Sequence, residues 1–325
     1  MKKLLYTVCS ANHLGYAKTM AASFAAHHPD YTIIMVLIDK IEGRFAIADL
    51  LPHRILEIDR LAIPGFSEMA TQYSVLELNC AMKPFVAQYL FENEQPDLLL
   101  YIDSDTWIFN RFTAIEAAME YADILITPHF TSPYPDNTQL PTERDVLSSG
   151  IYNAGFIAMK KSENTAQFLA WWAMHMKNEC YYNFAEGMGV DQVWLNLVPL
   201  LFNKVLVFEN PGANMAYWNF HERNLSHQNG NIVVNNIFPL LFLHISGYSF
   251  NEPDSFSRHQ NRFSNNVFPL LTQLLKNYRD LVMQNGHEIY TGLTCAYAIK
   301  KKKSLGIMRT INKLLKPLGI KVTDC

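Results

Sequence analysis

The sequence has few cysteines, and they are scattered along the chain. Five occur in 325 residues, and no two have the C-x-x-C spacing of a zinc knuckle or a redox motif. An odd number also does not suit a framework of intramolecular disulfides. The cysteine pattern therefore argues against a disulfide-stapled fold and indicates reduced thiols in a cytosolic protein.

Long apolar runs and a large charge of one sign are missing as well. No apolar stretch reaches the roughly 18–20 residues that span a bilayer. The short apolar run near the start predicts a first β-strand instead of a signal peptide. The net charge of −3 argues against a nucleic-acid binder that works through its overall charge. We expect a soluble, cytoplasmic protein with one large or two small domains.

The first half of the chain alternates between strand-like and helix-like segments. Strands are predicted at residues 3–9, 32–38, 54–58, 98–102 and 124–127, and helices at 14–27, 45–51, 73–92 and 114–121. Pro84 is expected to kink or restart the helix that contains it. The alternation predicts an α/β fold with a mostly parallel, doubly wound sheet. Cys9, Asp39 and Asp103 would then share the strand-end edge where such sheets bind ligands.

The second half is less regular. Residues 129–149 are polar, rich in proline and without periodicity, which predicts a long functional loop. Strands are then predicted at 151–159, 204–208 and before His244, helices at 164–177 and 190–200, and a hairpin turn at Asn229 and Gly230. The final quarter is expected to be helical at 263–284 and 300–318.

The last of these segments is strongly basic, with apolar residues at helical spacing. One interpretation is an interfacial helix on anionic lipid, which would make the protein peripheral on the inner face of a membrane. The other is a helix docked on the core with its basic face in water.

The stretch LLLYIDSDTWIF places Asp103 and Asp105 at the end of an apolar strand, with no lysine or arginine beside them in sequence. In a straight strand, residues i and i+2 point the same way, so both carboxylates can face one site. Carboxylate oxygens are suitable ligands for Mg²⁺ or Mn²⁺. The alternative is a turn with two solvated aspartates.

His244 closes a second apolar strand and begins the stretch HISGY. Its imidazole could complete the protein part of an octahedral metal site. Ser246 and Gly247 follow, and small residues let backbone amides approach a phosphate closely. The alternative is a histidine with a purely structural role.

Several segments occur together in a known order: the N-terminal strand and helix, LYIDSDTWIF, YNAGFIAMKKS, GVDQVWLN and HISGY. In these the chain resembles the nucleotide-sugar glycosyltransferases of the GT-A fold. It is nearest to glycogenin and to the retaining galactosyl- and glucosyltransferases of bacterial surface-polysaccharide synthesis. The resemblance implies a GT-A, Rossmann-like domain over 1–262, with a nucleotide-binding half (1–128) and a donor-sugar and acceptor half (129–262). A helical, basic extension would occupy 263–325.

The resemblance also implies roles for individual residues. Asp103, Asp105 and His244 would bind the metal. The nucleotide sugar would be bound by two sets of residues. One set comes from the first half of the chain: Thr7, Cys9, Asn12, Asp39, Lys83 and Ser104. The other comes from the second half: Asn153, Ala154, Gly155, Ser246 and Gly247.

Asp191 and Gln192 would act as the catalytic pair, holding donor-sugar hydroxyls near the anomeric carbon. Asp191 has an alternative role as a helix N-cap, because it begins an apolar-periodic run. Lys83 has an alternative role as a solvated helix lysine.

The implied activity is transfer of a hexose from a nucleotide-diphosphate sugar, with uridine as the base, to a hydroxyl of a saccharide or lipid-linked glycan. Mn²⁺ or Mg²⁺ would be required, and retention is favoured. The loop at 129–149, with Trp218 and His221, would form the acceptor cleft. A lysine common in the family after its histidine–glycine element is missing here, so we expect Arg144, Arg258 or Arg262 to supply positive charge.

Three other functions are alternatives for a chain with these residues. A phosphatase or phosphotransferase with an aspartyl nucleophile also uses a strand followed by D-x-D, but it requires threonine or valine where Trp107 stands. A sugar nucleotidyltransferase needs a glycine-rich, arginine-bearing loop, which SANHLGY does not provide. A carbohydrate-binding protein without turnover is the third alternative, and retention of Asp103, Asp105 and His244 argues against it.

Overall fold

The structure, a computed structural model, describes residues 1–41, 43–45, 52–253 and 255–297. Its strands are β1 (Lys3–Cys9), β2 (Tyr31–Leu37), β3 (Arg54–Glu57), β4 (Leu98–Ile102), β5 (Thr106–Ile108), β6 (Ile124–Pro128), β7 (Tyr152–Lys160), β8 (Tyr182–Asn183), β9 (Met188–Gly189), β10 (Val205–Val207), β11 (Leu225–Gln228), β12 (Asn231–Val234), β13 (Phe238–Pro239) and β14 (Phe242–His244). Its α-helices are α1 (Leu14–His27), α2 (Phe66–Gln72), α3 (Val75–Asn93), α4 (Thr113–Ala118), α5 (Glu143–Ser149), α6 (Glu163–Met176), α7 (Val198–Leu201), α8 (Pro269–Gln284) and α9 (His287–Thr291). The helix predicted at 45–51 lies largely outside the described residues, and the one predicted at 300–318 lies entirely outside them.

A seven-stranded sheet forms the centre of the fold, in the order β10-β6-β7-β4-β1-β2-β3. Neighbouring strands are parallel except for β7, which runs antiparallel to both β4 and β6. The predicted α/β class with a mostly parallel sheet is therefore confirmed.

Both faces of the sheet are covered, which explains why β4 is apolar at every position. Leu99 and Tyr101 point into one core cluster, together with residues of α3 and α6. Leu98 and Leu100 point into a second cluster with residues of α1. The doubly wound arrangement predicted from the sequence is thus present.

The structure differs from two local predictions. Of the kink or restart expected at Pro84, the restart does not occur: the helix α3 runs through Pro84, stabilised at its start by a capping box between Ser74 and Glu77. The segment 129–149 is not all loop, because its last seven residues form α5. A second capping box, between Thr142 and Asp145, starts that helix. Its T-x-x-D signature is visible in the sequence.

Two further predictions are only partly correct. The helix predicted at 190–200 is a 3-10 helix, Gln192–Leu197, followed by the short α7. The buried strand before His244 is split into β13 and β14. Strand β14 pairs antiparallel with β5, which places His244 opposite Thr106. This pairing carries His244 to the turn that contains Asp103 and Asp105.

The described part of the C-terminal quarter packs against the α/β core. Leu271, Leu275 and Tyr278 on α8 share a cluster with Leu243 and Ile245 around β14. Within the described ranges, no helix combines the length and apolar character needed to cross a bilayer. Binding of residues 300–318 to lipid stays a prediction, since they lie outside those ranges.

His28, which follows α1, is fully buried and is satisfied as a neutral imidazole. The Phe112 N–H donates to its Nε2 at 2.9 Å, and its Nδ1 lies 3.1 Å from the Phe24 carbonyl oxygen. Burial lowers the pKa of His28 from 6.5 to about 4. Protonation of Nε2 would also place its hydrogen against the Phe112 N–H and break that hydrogen bond.

We expect acid to destabilise the protein through this histidine. Between pH 6.5 and 4, His28 is protonated in the unfolded chain but largely neutral in the folded protein. The free energy of unfolding therefore falls as the pH falls through this range. The full effect at pH 4 is about 3 kcal/mol. Urea unfolding from pH 7.5 to 4 should show a shallower pH dependence for His28→Gln than for the wild type. His227→Gln, on the exposed end of β11, is the control, and equal slopes for His28→Gln and wild type would contradict the assignment.

Candidate metal and nucleotide-sugar site

Asp103, Asp105 and His244 come together at the carboxyl edge of the sheet. Nε2 of His244 lies 3.7 Å from Oδ2 of Asp103 and 3.3 Å from Oδ1 of Asp105. One ligand atom from each of the three lies within 4.8 Å of the others. Ligands bound to one Mg²⁺-sized ion at ~2.1 Å are about 3–4 Å apart. The oxygen and imidazole donors therefore suit a hard divalent cation in their chemistry, and the two distances from the imidazole to the carboxylates match that spacing.

The aspartates reach this position through a turn, not through the straight strand assumed from the sequence. Strand β4 ends at Ile102 and β5 begins at Thr106, so both aspartates lie between them. The Asp103 N–H donates to the Gly155 carbonyl at 2.9 Å, and the Ile245 N–H donates to the Asp105 carbonyl at 2.8 Å. Backbone bonds to β7 and to the end of β14 thus fix the turn.

The imidazole of His244 and the carboxylates of Asp103 and Asp105 stabilise one another's charged forms. Burial lowers the pKa of His244, but the negative charges of Asp105 and Asp103 outweigh it and leave that pKa raised above 6.5. Burial raises the pKa of Asp105, and the positive charge of His244 more than reverses this. A divalent cation would take over the compensation that the imidazolium gives to the carboxylates.

Gly155 on β7 provides the room that His244 occupies. A Cβ at this glycine would lie 2.3 Å from Cε1 of His244 and 2.7 Å from Oδ1 of Asn153. Neither atom belongs to a flexible side-chain end that can move aside cheaply, because both groups are buried. Glycine is therefore required for the imidazole to stand beside the two carboxylates.

Lys83 places a positive charge beside Asp103, although no lysine or arginine lies next to the two aspartates in sequence. Its side chain comes from α3 and is only 4% exposed. Nζ lies 2.8 Å from Oδ2 of Asp191 and 3.3 Å from Oδ1 of Asp103, and it donates to the Ala154 carbonyl at 3.1 Å. Tyr101 also donates to Oδ1 of Asp103, which leaves Oδ2 to face His244. The alternative of a solvated lysine is wrong.

Asp191 is connected to the trio through Lys83, which pairs with both Asp191 and Asp103, and Gln192 follows Asp191 in sequence. Asp191 is 2% exposed and is the N-cap residue of the 3-10 helix, but its side chain makes no capping bond and pairs with Lys83 instead. Burial raises the pKa of Asp191, although the charge of Lys83 opposes the change. Gln192 accepts through Oε1 from Nδ2 of Asn153 at 3.4 Å. Asn153, Ala154, Asp191 and Gln192 thus form a polar group beside the metal ligands. Lys83 links Asp191 and Ala154 to Asp103, and a hydrogen bond links Gln192 to Asn153.

The residues expected at the nucleotide base form a second group, along β1 and at the end of β2. Thr7, Cys9 and Asp39 are buried, and Asn12 is half-buried in the 3-10 helix after β1. The charge of Asp39 adds to burial in raising the pKa of Cys9 to about 12, so this thiol stays protonated. At the start of α1, burial and the charge of Asp105 raise the pKa of Tyr16 to about 12.

The carboxylate of Asp39 is already bonded inside the fold. It accepts from the backbone N–H groups of Ala11 at 3.2 Å, Lys40 at 2.9 Å and Ala296 at 2.8 Å, and it pairs with Arg44. A carboxylate with these donors has limited capacity for another. Its bonding explains how a charged group is tolerated at full burial.

The third side of the site contains Ser246 and Gly247. Gly247 has a left-handed φ of 73°, and a Cβ there would lie 2.6 Å from Oγ of Ser257. The Arg258 N–H donates to the Gly247 carbonyl at 2.9 Å, which holds Arg258 beside this turn. Ser104, between the two aspartates, is buried.

The three arginines proposed to replace the missing lysine have different surroundings. Arg262 is committed elsewhere: Nη1 lies 2.8 Å from Oδ2 of Asp136, and its guanidinium stacks 5.0 Å from the ring centroid of Tyr134. Arg144 is exposed on α5. Arg258 is exposed, and its backbone adjoins Gly247.

The predicted acceptor segments do pack on each other. Tyr134 donates to the Trp218 carbonyl at 2.7 Å, and Nε2 of His221 lies 2.8 Å from the Ser132 carbonyl oxygen. Trp218 itself is 3% exposed and stands edge-on to His244, with centroids 5.1 Å apart. Its ring therefore packs against the imidazole, and its role towards an acceptor stays a prediction.

Sequence reasoning missed Asn214, a fully buried residue that contacts His244. Its Oδ1 lies 3.2 Å from Nδ1 of His244, and its Nδ2 donates to Thr127 and Asn153. A single asparagine 30 positions before His244 belongs to no motif. No pattern in the sequence distinguishes it from other asparagines in the chain.

The chain is similar to glycosyltransferases of known structure at low sequence identity. Galactosyltransferase LgtC, solved with donor and acceptor sugar analogues, has a TM-score of 0.48 and 14% identity over 86% of this chain and 95% of LgtC. Glycosyltransferase GlyE of Streptococcus pneumoniae TIGR4 has a TM-score of 0.47 and 14% identity over 87% of this chain and 63% of GlyE. Similarity of this size does not by itself assign a family or an activity.

Sequence comparison reaches fewer proteins. No protein-family model matches the chain. An uncharacterized Bacillus subtilis protein, YfnF, is 31% identical over 176 residues, which are 53% of this chain and 57% of YfnF. The chain thus spans little more than half the length of this relative.

Proposed function

We propose that the protein is a metal-dependent glycosyltransferase that takes a hexose from a nucleotide-diphosphate sugar. The observation that carries the proposal is the trio of Asp103, Asp105 and His244, connected through Lys83 to the buried Asp191. Two carboxylates and an imidazole suit Mn²⁺ or Mg²⁺, and Mg²⁺ in proteins is usually bound by one or two carboxylates together with substrate phosphates. The sequence resemblance supports the same assignment on the same residues.

Asp103, Asp105 and His244 would hold the metal, which supplies Lewis-acid neutralisation of the leaving diphosphate. We assign Arg258 to the role of the missing lysine at the diphosphate, because it is exposed and held beside Gly247. Ser246 and Gly247 would present backbone amides to the phosphates. Thr7, Cys9, Asn12 and Ser104 would line the nucleoside, with uridine as the proposed base.

The polar group of Asn153, Ala154, Asp191 and Gln192 suits the hydroxyls of a hexose. Asn153, Asp191 and Gln192 offer amide and carboxylate groups that are already aligned by bonds to one another or to Lys83. Such fixed groups bind without reorganisation, which is the basis of electrostatic preorganisation. Lys83 pairs with Asp191 at a buried position, where the Asp191 carboxylate would accept from sugar hydroxyls and face positive charge developing at the anomeric carbon. Asp39 would support the nucleoside pocket indirectly, through Ala11.

The proposed reaction breaks the bond between the anomeric carbon and the phosphate oxygen and joins that carbon to an acceptor hydroxyl oxygen. In the retaining route the acceptor attacks from the leaving-group face, and a phosphate oxygen takes its proton. Asp191 then needs to take no proton, which agrees with its pairing to Lys83. We propose a saccharide or lipid-linked glycan as acceptor, in surface polysaccharide synthesis.

The first test is a thermal-shift screen of nucleotide sugars with Mn²⁺ or with EDTA. A UDP-hexose at about 100 times its Kd should stabilise the protein by about 2.7 kcal/mol, which raises Tm by about 5 °C, and only when Mn²⁺ is present. Release of UDP from the same compound should follow. Stabilisation by glycans alone would indicate a carbohydrate-binding protein. Metal-dependent hydrolysis of phosphate monoesters would indicate a phosphatase. Either result, if no UDP-hexose stabilises the protein, contradicts the proposal.

A further inference from the structure

Asn214 holds the face of His244 that points away from the two aspartates. Both side chains are buried, and Nδ1 of His244 lies 3.2 Å from Oδ1 of Asn214. The opposite nitrogen, Nε2, is the one that lies 3.3 Å from Asp105. The hydrogen at Nδ1 therefore decides which nitrogen is free for a cation.

The orientation of the Asn214 amide follows from a backbone donor. The Gly155 N–H donates at 3.0 Å to the side-chain atom Oδ1 of Asn153, so that atom must be an oxygen. The Asn214 atom 3.1 Å from the same oxygen must then be the amide nitrogen, and it also lies 2.8 Å from Oγ1 of Thr127. The remaining Asn214 atom, which faces His244, is the oxygen.

An amide oxygen only accepts hydrogen bonds. Nδ1 of His244 therefore carries the hydrogen, both in the imidazolium and in the neutral ring. When the ring is neutral, the lone pair is at Nε2, on the side of Asp103 and Asp105. Ligand histidines in proteins usually have such a second partner, and its loss typically weakens metal binding 10- to 100-fold.

Asn214 is itself fixed in an uncommon backbone conformation. Its φ is 54°, in the left-handed region. Asn219, also fully buried, donates to the Asn214 carbonyl at 3.0 Å and accepts from the Ala216 N–H at 2.9 Å. This turn pins the amide between Thr127, Asn153 and His244.

We propose that Asn214 is a positioning residue that fixes His244 with its hydrogen at Nδ1 and so makes Nε2 a ligand for the divalent cation. The inference rests on the proposed metal site and adds to it a residue that touches no cation. Its effect should therefore appear in metal affinity, without any nucleotide sugar.

Two variants separate the His244 contact from the other contacts of Asn214. Asn214→Gly tolerates the left-handed backbone and removes the amide. Asn214→Asp keeps an oxygen for Nδ1 but loses both donated hydrogens. Mn²⁺ titration by EPR in the absence of nucleotide should show a 10- to 100-fold weaker Kd for Asn214→Gly and a Kd within about threefold of wild type for Asn214→Asp. Asn236→Gly, at another left-handed but exposed asparagine, should match the wild type.

The outcomes distinguish this inference from the function it rests on. If the wild type itself binds no Mn²⁺, both fail. If the wild type binds Mn²⁺ and Asn214→Gly binds it equally well, only the role of Asn214 is overturned. Equal losses of Mn²⁺ affinity in the Gly and Asp variants would also overturn it, because the effect would then come from the lost bonds to Thr127 and Asn153. Long-range ¹⁵N NMR on Mg²⁺-loaded wild type needs no variant, and a hydrogen on Nε2 of His244 would reject the proposal.

Discussion

Replacing Asp103 or Asp105 by alanine should lower sugar transfer by about a thousandfold or more, and the residual activity should no longer respond to Mn²⁺. The proposed site neutralises the leaving diphosphate through these carboxylates, and a thousandfold loss corresponds to about 4 kcal/mol of transition-state stabilisation. Each variant also leaves His244 without one of the two carboxylates that face it. Steady-state release of UDP across a Mn²⁺ series, repeated with EDTA, measures the effect.

A control variant tests whether loss of any surface carboxylate would have the same effect. Asp280→Ala removes an exposed aspartate from α8 and should leave both rate and metal response unchanged. Circular dichroism should show all three variants folded. Full activity of the Asp103 or Asp105 variant in EDTA would refute the metal site.

Gly155→Ala should disable the same site by adding one methyl group. The new carbon would stand 2.3 Å from Cε1 of His244, a distance that atoms do not tolerate, so the imidazole must leave the carboxylates or β7 must shift. Both changes separate the proposed ligands. We expect Mn²⁺ affinity to fall by at least about tenfold and transfer by about a hundredfold, with a stability cost of about 1–3 kcal/mol.

The control is Gly292→Ala, where an added Cβ meets nothing within 4 Å and the backbone is not left-handed. This variant should bind Mn²⁺ and transfer sugar like the wild type. Titration of Mn²⁺ by EPR, together with urea unfolding, compares the two. Unchanged metal affinity in Gly155→Ala would show that His244 does not need this position, which contradicts the assigned ligand set.

The sequence predicts the scaffold well because local signals specify it. Strand β1 and helix α1 have the predicted bounds, and the unbroken apolar run of β4 correctly indicates burial on both faces of a mostly parallel sheet. The hairpin turn at Asn229 and Gly230 joins β11 to β12, as its composition indicates. In each case a few adjacent residues contain the whole signal.

The contacts that build the site are not local, and for that reason they are harder to predict. Nothing around Lys83 in sequence shows that its ammonium will be buried against Asp191, since the helix and the turn meet only in the folded chain. The pairing of β14 with β5 decides where His244 points, yet both strands have only three residues. Asn214 depends on a backbone conformation that sequence patterns do not encode.

The bonding of Asp39 links distant parts of the polypeptide. Ala296 donates to it from 257 positions further along, and Arg44 reaches from Asp39 to the Thr294 carbonyl oxygen. A nascent chain still short of that point lacks a donor for a carboxylate that the finished protein buries completely. The proposed nucleoside pocket, which Asp39 would support, is therefore complete only when residues 294–296 are present, and a shortened form of the protein ending at residue 262 would lack these contacts.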